Sequence, residues 1–561
     1  MKKLTIVALA IAALFAAVAG AATTAGASSQ ASRDVVTIQL LDVSDWHAQL
    51  DPVDVSGTLI GGASVISTLW TQDRASVPNT LTLTAGDAYG ASPPLSGFFD
   101  EEPAVKAMRL MGFDVDTFGN HNFDRGVGHL QRMIDLAGAP TATVPGKPFG
   151  YVSANLTNLD DNLDGVAPWR IFEVGGVKVG VVGITNPEAP GLVFPESFGT
   201  MVPTDPVPAA NKARAQARAA GAKILIAITH LGITGADPVT GEPAGPLTQF
   251  AENVGGFDVI FGDHTDVQFE KVINNALVIE NRSKGLTYSR TLLDVDTENG
   301  RIIERSNRFI TPFASGVTKD PAIEAMLQPY RTELAEVFDE KIATTTGVFV
   351  RGGNVERRQE VAIGDLIADS LRETYGTQLG FTNSGGIRAP LPSSYVPQDT
   401  SLRRTGCSTE TPCDLVVGDI YTVLPFGNTV LTRDVTGSQL WAALEHGIEC
   451  VNATGGLNSV CVPGTGKFPQ ISGFRFTFDP TRPAGSRVVS VALNNGTPIP
   501  RDATTYTFTT NDFTNAGGDG YTMFADGQGV TRDLMANVLL EYVRGKVLTP
   551  TTDGRITRLV P

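Results

Sequence analysis

Short runs of Val, Ile and Leu alternate with Ala-rich, helix-like segments from Val35 to about Thr311. Runs that are apolar at nearly every position are typical of strands buried on both faces. Strands of this kind separated by helices predict an α/β domain built of packed layers.

A long helix is predicted after this domain, because apolar residues recur at helical spacing between Asp320 and Ala343, with a kink at Pro329. Beyond it the pattern mixes helices, at 362–374 and 436–448, with strands at 473–478, 488–493 and 505–510. The predicted units are therefore residues 33–315, a connecting helix or hinge at 316–343, and a smaller α+β domain at 344–561.

The first 27 residues have the form of a signal peptide: Lys2 and Lys3, an apolar run from Leu4 to Ala19, and small residues up to Ala27. No later stretch is longer and free of charges, so no membrane span is expected. The pattern predicts a secreted protein that is extracellular, periplasmic or associated with the cell wall.

The formal net charge of −16 argues against a nucleic-acid polymer as the main ligand, since that would require basic stripes. The negative net charge favours binding of cations instead. An anionic substrate would need local positive charge from metals or from a few arginines.

Four cysteines form two close pairs, Cys407 with Cys413 and Cys450 with Cys461, in polar surroundings typical of loops. Because an exported protein meets an oxidising compartment, we expect two local disulfides.

Five strand-like runs in the first domain end directly before residue types that bind metals. Those residues are Asp45 and His47; Asp87; Asn120, His121 and Asp124; His230; and Asp263, His264 and Asp266. The carboxyl ends of neighbouring strands in an open α/β sheet meet at one crevice, so these side chains should converge. Carboxylates, imidazoles and an amide suit two bridged divalent ions that clamp a phosphoryl group.

Each of these signals is weak alone, because Asp-x-His and Gly-Asp often mark only a turn or a helix cap. Their ordered occurrence, with four of the six histidines in these loops, favours a metal centre. His129 and His446 lie in helix-like stretches and are predicted to be structural.

The ordered set Asp-x-His, Gly-Asp, Gly-Asn-His-x-Phe-Asp, Thr-His and Gly-x-His resembles calcineurin-like metallophosphoesterases, and its third motif is similar to that of secreted 5′-nucleotidases. The resemblance implies a four-layer αββα sandwich that holds two divalent ions, with Zn, Mn or Co expected. It assigns Asp45, His47, Asp87 and Asp266 to the first ion, and Asp87, Asn120, His230 and His264 to the second. Asp266 stands where the family has His or Gln, and its added charge favours harder ions.

His121 and Asp124 match the catalytic dyad of this family. A carboxylate that orients the imidazole lets it stabilise charge on the phosphoryl oxygens or the leaving group, while metal-bound hydroxide attacks. The competing interpretation is a turn that resembles a helix cap.

The second domain also resembles its counterpart in the 5′-nucleotidases, through Asn383–Arg388, Leu424–Gly427 and Asn511–Tyr521. The resemblance implies that Phe426 and Phe513 sandwich a base, which such rings can do for any base. It implies that Asp519 binds the ribose hydroxyls and that Asn383 contributes at the sugar or base. It also implies that Arg357 and Arg388 neutralise the phosphate. Arg357 is favoured over Arg358 for that role.

The leading hypothesis is hydrolysis of nucleoside 5′-monophosphates. A UDP-sugar hydrolase or a 2′,3′-cyclic nucleotide 2′-phosphodiesterase/3′-nucleotidase would share the same motifs. An alternative of another class is a secreted nucleotide-binding protein with a metal centre weakened at Asp266.

Overall fold

The computed structural model describes residues 34–55, 57–194, 196–237, 240–458 and 466–559. The predicted signal peptide at 1–27 and the predicted partner of Cys450, Cys461, lie outside these residues.

Two mixed sheets form the centre of the N-terminal half. The first sheet has the order Arg301–Ile310, Tyr288–Asp296, Val35–Val43, Thr80–Thr84, Val115–Asp116, Gly150–Val152 and Val166–Ala167. The second has the order Phe269–Ile273, Ala276–Glu280, Val259–Gly262, Ile224–Thr229, Val177–Ile184 and Trp169–Val174. In both sheets the central strands are parallel, which sends their carboxyl ends to the same edge.

The strand Val35–Val43 shows how the layers are built, because alternate residues of a strand face opposite sides. Ile38 and Leu40 belong to the buried cluster between the two sheets. Leu41 and Val43 belong to the cluster that covers the other face of this sheet, where helices pack. On the far side, Ala213 of the helix Pro206–Ala219 packs in a third cluster against the second sheet. The predicted αββα sandwich is confirmed.

Helices and short ribbons complete this half. The helices are Ala63–Ser76, Pro94–Gly97, Glu102–Met111, Val127–Gly138, Pro206–Ala219 and Pro246–Asn253. The ribbons pair Val53–Val55 with Thr58–Ile60, Leu156–Thr157 with Val202–Pro203, and Gly235–Ala236 with Pro243–Ala244.

The predicted connecting helix runs from Pro321 to Phe338, with Pro329 inside it. It ends before the predicted boundary at Ala343, because Lys341–Thr345 forms a strand. Asp320 caps its start by accepting hydrogen bonds from the main-chain N–H groups of Ala322 and Ile323. Its buried face joins one hydrophobic cluster that contains residues of both halves. The helix is thus packed into a core that the two halves share.

The C-terminal half contains one larger and two smaller sheets. Their orders are Pro469–Ser472, Leu379–Asn383, Thr505–Asn511, Thr429–Thr436 and Val530–Leu534; Cys413–Val416, Lys341–Thr345 and Val547–Leu548; and Val488–Leu493, Phe474–Phe478 and Ile556–Arg558. The helices are Ala362–Tyr375, Val417–Val423, Gly437–Ile448, Asp512–Asn515 and Met535–Val543. The helices and strands predicted in this half agree with these bounds to within one residue.

Cys407 and Cys413 form the predicted disulfide at the start of the strand Cys413–Val416. In the described part of the chain, no helix combines the length and the apolar character needed to cross a membrane.

Candidate active site

Residues that follow five strands of the two sheets meet in one pocket. The pocket is lined from this half by Asp45, His47, Asp87, Asn120, His121, Asp124, His264 and Asp266. His230 is fully buried directly behind them, with its Nε2 3.1 Å from Asp87 Oδ2. The convergence expected from the strand ends is therefore present in the geometry.

Three groups of potential ligand atoms overlap at this point, and in each the atoms lie within 4.8 Å of one another. The groups are Asp45, His47 and Asp87; Asp87, His230 and His264; and Asp45, His230 and Asp263. Asp87 is shared by the first two, as a bridging carboxylate would be. Two buried oxygens, Asp45 Oδ1 and Asn120 Oδ1, have no hydrogen-bond partner. This donor set fits two divalent ions.

Main-chain carbonyls contact the Nδ1 atoms of two imidazoles and so fix the orientation of these rings. His47 Nδ1 lies 2.7 Å from the Gly90 oxygen, and His230 Nδ1 lies 3.0 Å from the Ala85 oxygen. A proton held at Nδ1 leaves Nε2 free for a metal. Burial lowers the pKa values of His47 and His264 well below their usual range. Burial acts the same way on His230, but Asp87 raises its pKa to about 9.

The backbone is strained at the predicted ligands. Asp45, His47, Asp87 and His264 have φ values of 41°, 50°, 47° and 84°. The left-handed region is unfavourable for residues with a Cβ, and such strain concentrates at functional sites.

Gly119 allows the strand ends to approach closely. A Cβ at this position would lie 2.1 Å from Asp87 Oδ1 and 2.6 Å from His230 Cε1. A side chain here would displace both residues.

His121 and Asp124 form a close pair at the rim of the pocket, with His121 Nδ1 3.0 Å from both carboxylate oxygens. The main-chain N–H of His121 also donates a 2.8 Å hydrogen bond to Asp87 Oδ1. The pair is thereby fixed relative to the metal-ligand cluster.

Asp266 lines the pocket but belongs to none of the three groups of potential metal ligands. Its carboxylate accepts hydrogen bonds of 3.2 Å from both Nε and Nη2 of Arg282, and one of 3.1 Å from the Ser283 N–H. The geometry therefore departs from the ligand role predicted for Asp266, because an arginine already satisfies this carboxylate.

Asp263 is the carboxylate that the geometry adds to the cluster. It is fully buried, and its Oδ2 has no hydrogen-bond donor. Its Oδ1 accepts a 2.9 Å hydrogen bond from the N–H of His264. The sequence signal was present in Gly262-Asp263-His264, but nothing in the pattern showed which way this side chain points.

The C-terminal half contributes a buried polar network to the same pocket. Asn383 Nδ2 donates a 2.7 Å hydrogen bond to Asp519 Oδ2, and Asn383 Oδ1 accepts a 3.0 Å bond from Asn511. His446 Nε2 lies 2.8 Å from the Asp519 carbonyl oxygen. Structural roles were expected for His446 and for His129, which contacts the Asp100 carbonyl oxygen at 2.9 Å.

Arg388 reaches across to the metal-ligand cluster. Its Nη2 lies 3.1 Å from His47 Nε2, and its guanidinium lies 5.7 Å from the centre of the Phe426 ring. The Phe426 ring in turn stacks on His121, with centroids 5.4 Å apart. These contacts join the predicted base-binding side to the dyad.

Arg357 lines this pocket, whereas Arg358 lines a different cavity beside Gly455 and Arg558. Phe426, Phe513 and Asp519 also face the pocket. All the substrate-binding residues predicted from the sequence therefore lie around one space between the halves.

Several pocket residues had no clear signal in the sequence. They are Leu192, Val193, Phe194, Lys284, Arg351 and Asn354. Arg351 pairs with the buried Glu356 at 3.1 Å. Burial, together with Arg351 and Arg388, lowers the pKa of Lys284 to about 7.

Known proteins share this architecture. The family model described as the 5′-nucleotidase C-terminal domain matches residues 341–526. The cell wall protein Lmo0130 of Listeria monocytogenes is 28% identical over 580 residues, covering 94% of this chain and 70% of that protein. Endonuclease YhcR of Bacillus subtilis is 28% identical over 513 residues, covering 89% of this chain but 39% of that protein. The crystal structure of a 5′-nucleotidase precursor from Thermus thermophilus superposes with a TM-score of 0.78 at 28% identity, covering 93% of this chain and 99% of that one.

The sandwich, its clustered ligand atoms and these matches define a metal-dependent phosphoesterase. Among such phosphoesterases, the match at residues 341–526 points to those that carry a 5′-nucleotidase C-terminal domain. Residues 341–526 match the 5′-nucleotidase C-terminal domain, and over nearly its full length the chain is similar to a solved 5′-nucleotidase precursor.

Proposed function

We propose that the chain hydrolyses nucleoside 5′-monophosphates to nucleoside and phosphate outside the cytoplasm. One observation carries the proposal: a single pocket is lined by ligand residues and a His–Asp dyad from one half, and by arginines and two phenylalanines from the other. This arrangement accommodates a phosphate at the metal end and a base at the aromatic end.

The two ligand groups would hold divalent ions, with Asp87 bridging them and Asn120 completing the second. Two such ions polarise a phosphoryl group and activate water near neutral pH. His121, which contacts Asp124 through Nδ1, would stabilise charge that develops on the phosphoryl oxygens or the leaving group. Zn, Mn and Co are the metals to test first.

The C-terminal residues position the rest of the substrate. Phe426 and Phe513 would stack on the base, which is worth about 1–3 kcal/mol per base in single-stranded nucleic acid binding. Asp519, held by Asn383, would accept hydrogen bonds from the ribose hydroxyls. Arg357 and Arg388 would bind phosphate oxygens.

The domain division proposed here is a metallophosphoesterase domain at 33–315, a connecting segment at 316–343 and a nucleotide-binding domain at 344–561. The relative that is a cell wall protein supports an extracellular location. Both sides of the pocket come from one chain.

The test is phosphate release from AMP, UMP, UDP-glucose and 2′,3′-cyclic AMP by metal-stripped protein resupplied with Mn²⁺, Zn²⁺ or Co²⁺. Metal-dependent release from the monophosphates, lost in His121→Ala, is expected. Preference for UDP-glucose or the cyclic nucleotide would replace the proposed substrate. No turnover with any metal would leave a nucleotide-binding protein.

A further inference from the structure

Lys284 brings an ammonium group of the N-terminal half to the place where the C-terminal half covers the ligand cluster. It lies in the turn Ser283–Gly285, and its side chain lines the pocket. Its Nζ donates a 2.6 Å hydrogen bond to the main-chain oxygen of Arg388. The amine therefore touches the segment that carries a proposed phosphate-binding arginine.

The backbone of Lys284 is fixed by the metal-ligand cluster itself. Its N–H donates a 2.8 Å hydrogen bond to the carbonyl oxygen of Asp45. Its φ is 58°, in the left-handed region, which is unfavourable for a residue with a Cβ. Strain that the surroundings maintain at a pocket wall indicates that the position of this side chain matters.

Lys284 Nζ makes no close ion pair in the part of the chain that the structure describes. Among the described residues no carboxylate oxygen lies within 4.0 Å of Lys284 Nζ. The carboxylate nearest in sequence, Asp266, is paired with Arg282 instead. Lys284 shares this wall of the pocket with the cations Arg351 and Arg388, so an anion that enters the pocket would be attracted by all three.

The hydrogen-bonding capacity of the amine fits such a ligand. An ammonium group has three donors, and the Arg388 carbonyl uses one. Two donors remain for oxygens in the space that Lys284 shares with Asp45, His47 and Arg388.

We propose that Lys284 binds an anionic oxygen of the substrate's phosphate, so that cations from both halves hold that group. The inference rests on the proposed function and names the chemistry of one contact in its site: a phosphate monoester, or the inorganic phosphate that leaves.

The test is calorimetric titration of the metal-loaded full chain with inorganic phosphate. Lys284→Met should weaken phosphate binding by about 10-fold or more, as expected for loss of a hydrogen bond to a charged group. Lys284→Arg should restore most of the affinity. Lys271→Met is the matched control, because Lys271 is a half-exposed lysine of the same half outside the pocket.

Activity provides a second readout. Lys284→Met should lower kcat/KM equally for AMP and for ribose 5-phosphate, since the lost contact is to the phosphate that both share. A role in base binding would affect AMP alone and would overturn the inference.

An unchanged phosphate affinity in Lys284→Met would also overturn the inference. If the melting temperature of that variant were lowered as well, the amine would be only a contact between the two halves. Failure of the proposed function is distinguishable. If the protein hydrolyses no nucleotide but its phosphate affinity still depends on Lys284, the phosphate contact is supported and the proposed substrate is wrong.

Discussion

His121 Nδ1 lies 3.0 Å from both Asp124 Oδ1 and Asp124 Oδ2, so one carboxylate holds the imidazole symmetrically. This contact keeps a proton at Nδ1 and leaves Nε2 as the atom available to the pocket. The other side of the ring is fixed by the stacked Phe426. The dyad is therefore positioned by both halves.

Replacing His121 should remove catalysis without removing metal. We expect His121→Ala to lower kcat for AMP by about 10²–10⁴, the usual contribution of a positioned acid or base. Metal content, measured by mass spectrometry, should stay at the wild-type level. His129→Gln is the control, because the His129 imidazole contacts the Asp100 carbonyl oxygen and does not line the pocket that holds the ligand residues. Full kcat in His121→Ala would contradict this role.

Asp263 and Asp266 should differ in their effect on bound metal. Asp263 Oδ2 faces Asp45 and His230 without a hydrogen-bond donor, whereas Asp266 is held by Arg282. We expect Asp263→Ala to lower the number of ions retained after dialysis, and Asp266→Ala to retain them. The reverse order would restore the ligand role that the sequence predicted for Asp266.

Gly119→Ala should disrupt the ligand cluster. The added methyl would lie 2.1 Å from Asp87 Oδ1, so either the carboxylate or the backbone must move. Reduced metal content and a lower melting temperature are expected. Gly128→Ala is the matched control, because nothing lies within 4 Å of a Cβ there and alanine is favourable in a helix. Normal metal binding by Gly119→Ala would show that the strand ends tolerate separation.

Phe513→Ala should weaken recognition of the base alone. Loss of one stacking face, worth about 1–3 kcal/mol, corresponds to roughly a 5- to 150-fold rise in KM for AMP. Ribose 5-phosphate, which has no base, should be hydrolysed as by the wild type. Phe426→Ala is expected to affect both substrates, since Phe426 also supports His121. Equal losses for both substrates in Phe513→Ala would argue against stacking.

Asp365 should make the stability of the C-terminal half depend on pH. Burial, opposed by Arg555 and reinforced by Glu360, raises its pKa to about 9. In the unfolded chain the pKa of an Asp carboxyl is near 3.9, so the folded state binds the proton more tightly. The contribution of Asp365 to the free energy of unfolding is therefore complete below about pH 3.9 and is lost as the pH rises towards 9.

Unfolding free energy should therefore fall between pH 5 and pH 9, and Asp365→Asn should flatten that slope. Each unit of pKa difference is worth about 1.4 kcal/mol, which denaturant titrations at several pH values can resolve. Asp434→Asn, at an exposed position of the same half, should leave the slope unchanged. An identical slope in Asp365→Asn would mean that Asp365 titrates normally.

The sequence predicted the layered fold and most of the pocket because both follow from local patterns. Apolar runs define the parallel strands, and polar residues directly after them must meet at the strand ends. The position of Asp266 was not predictable, since its contact with Arg282 depends on how the loop 281–285 folds back. Lys284 had no signal for a similar reason: its importance comes from a carbonyl more than a hundred positions away, at Arg388.

The shared core around Pro321–Phe338 and the shared pocket also limit how such a chain can diverge. A recombination event that exchanged one half for that of a distant relative would pair His47 with a residue at position 388 from a lineage in which the two had not evolved together. The two halves are therefore expected to be inherited as one unit, with substitutions on either side of the interface selected as pairs.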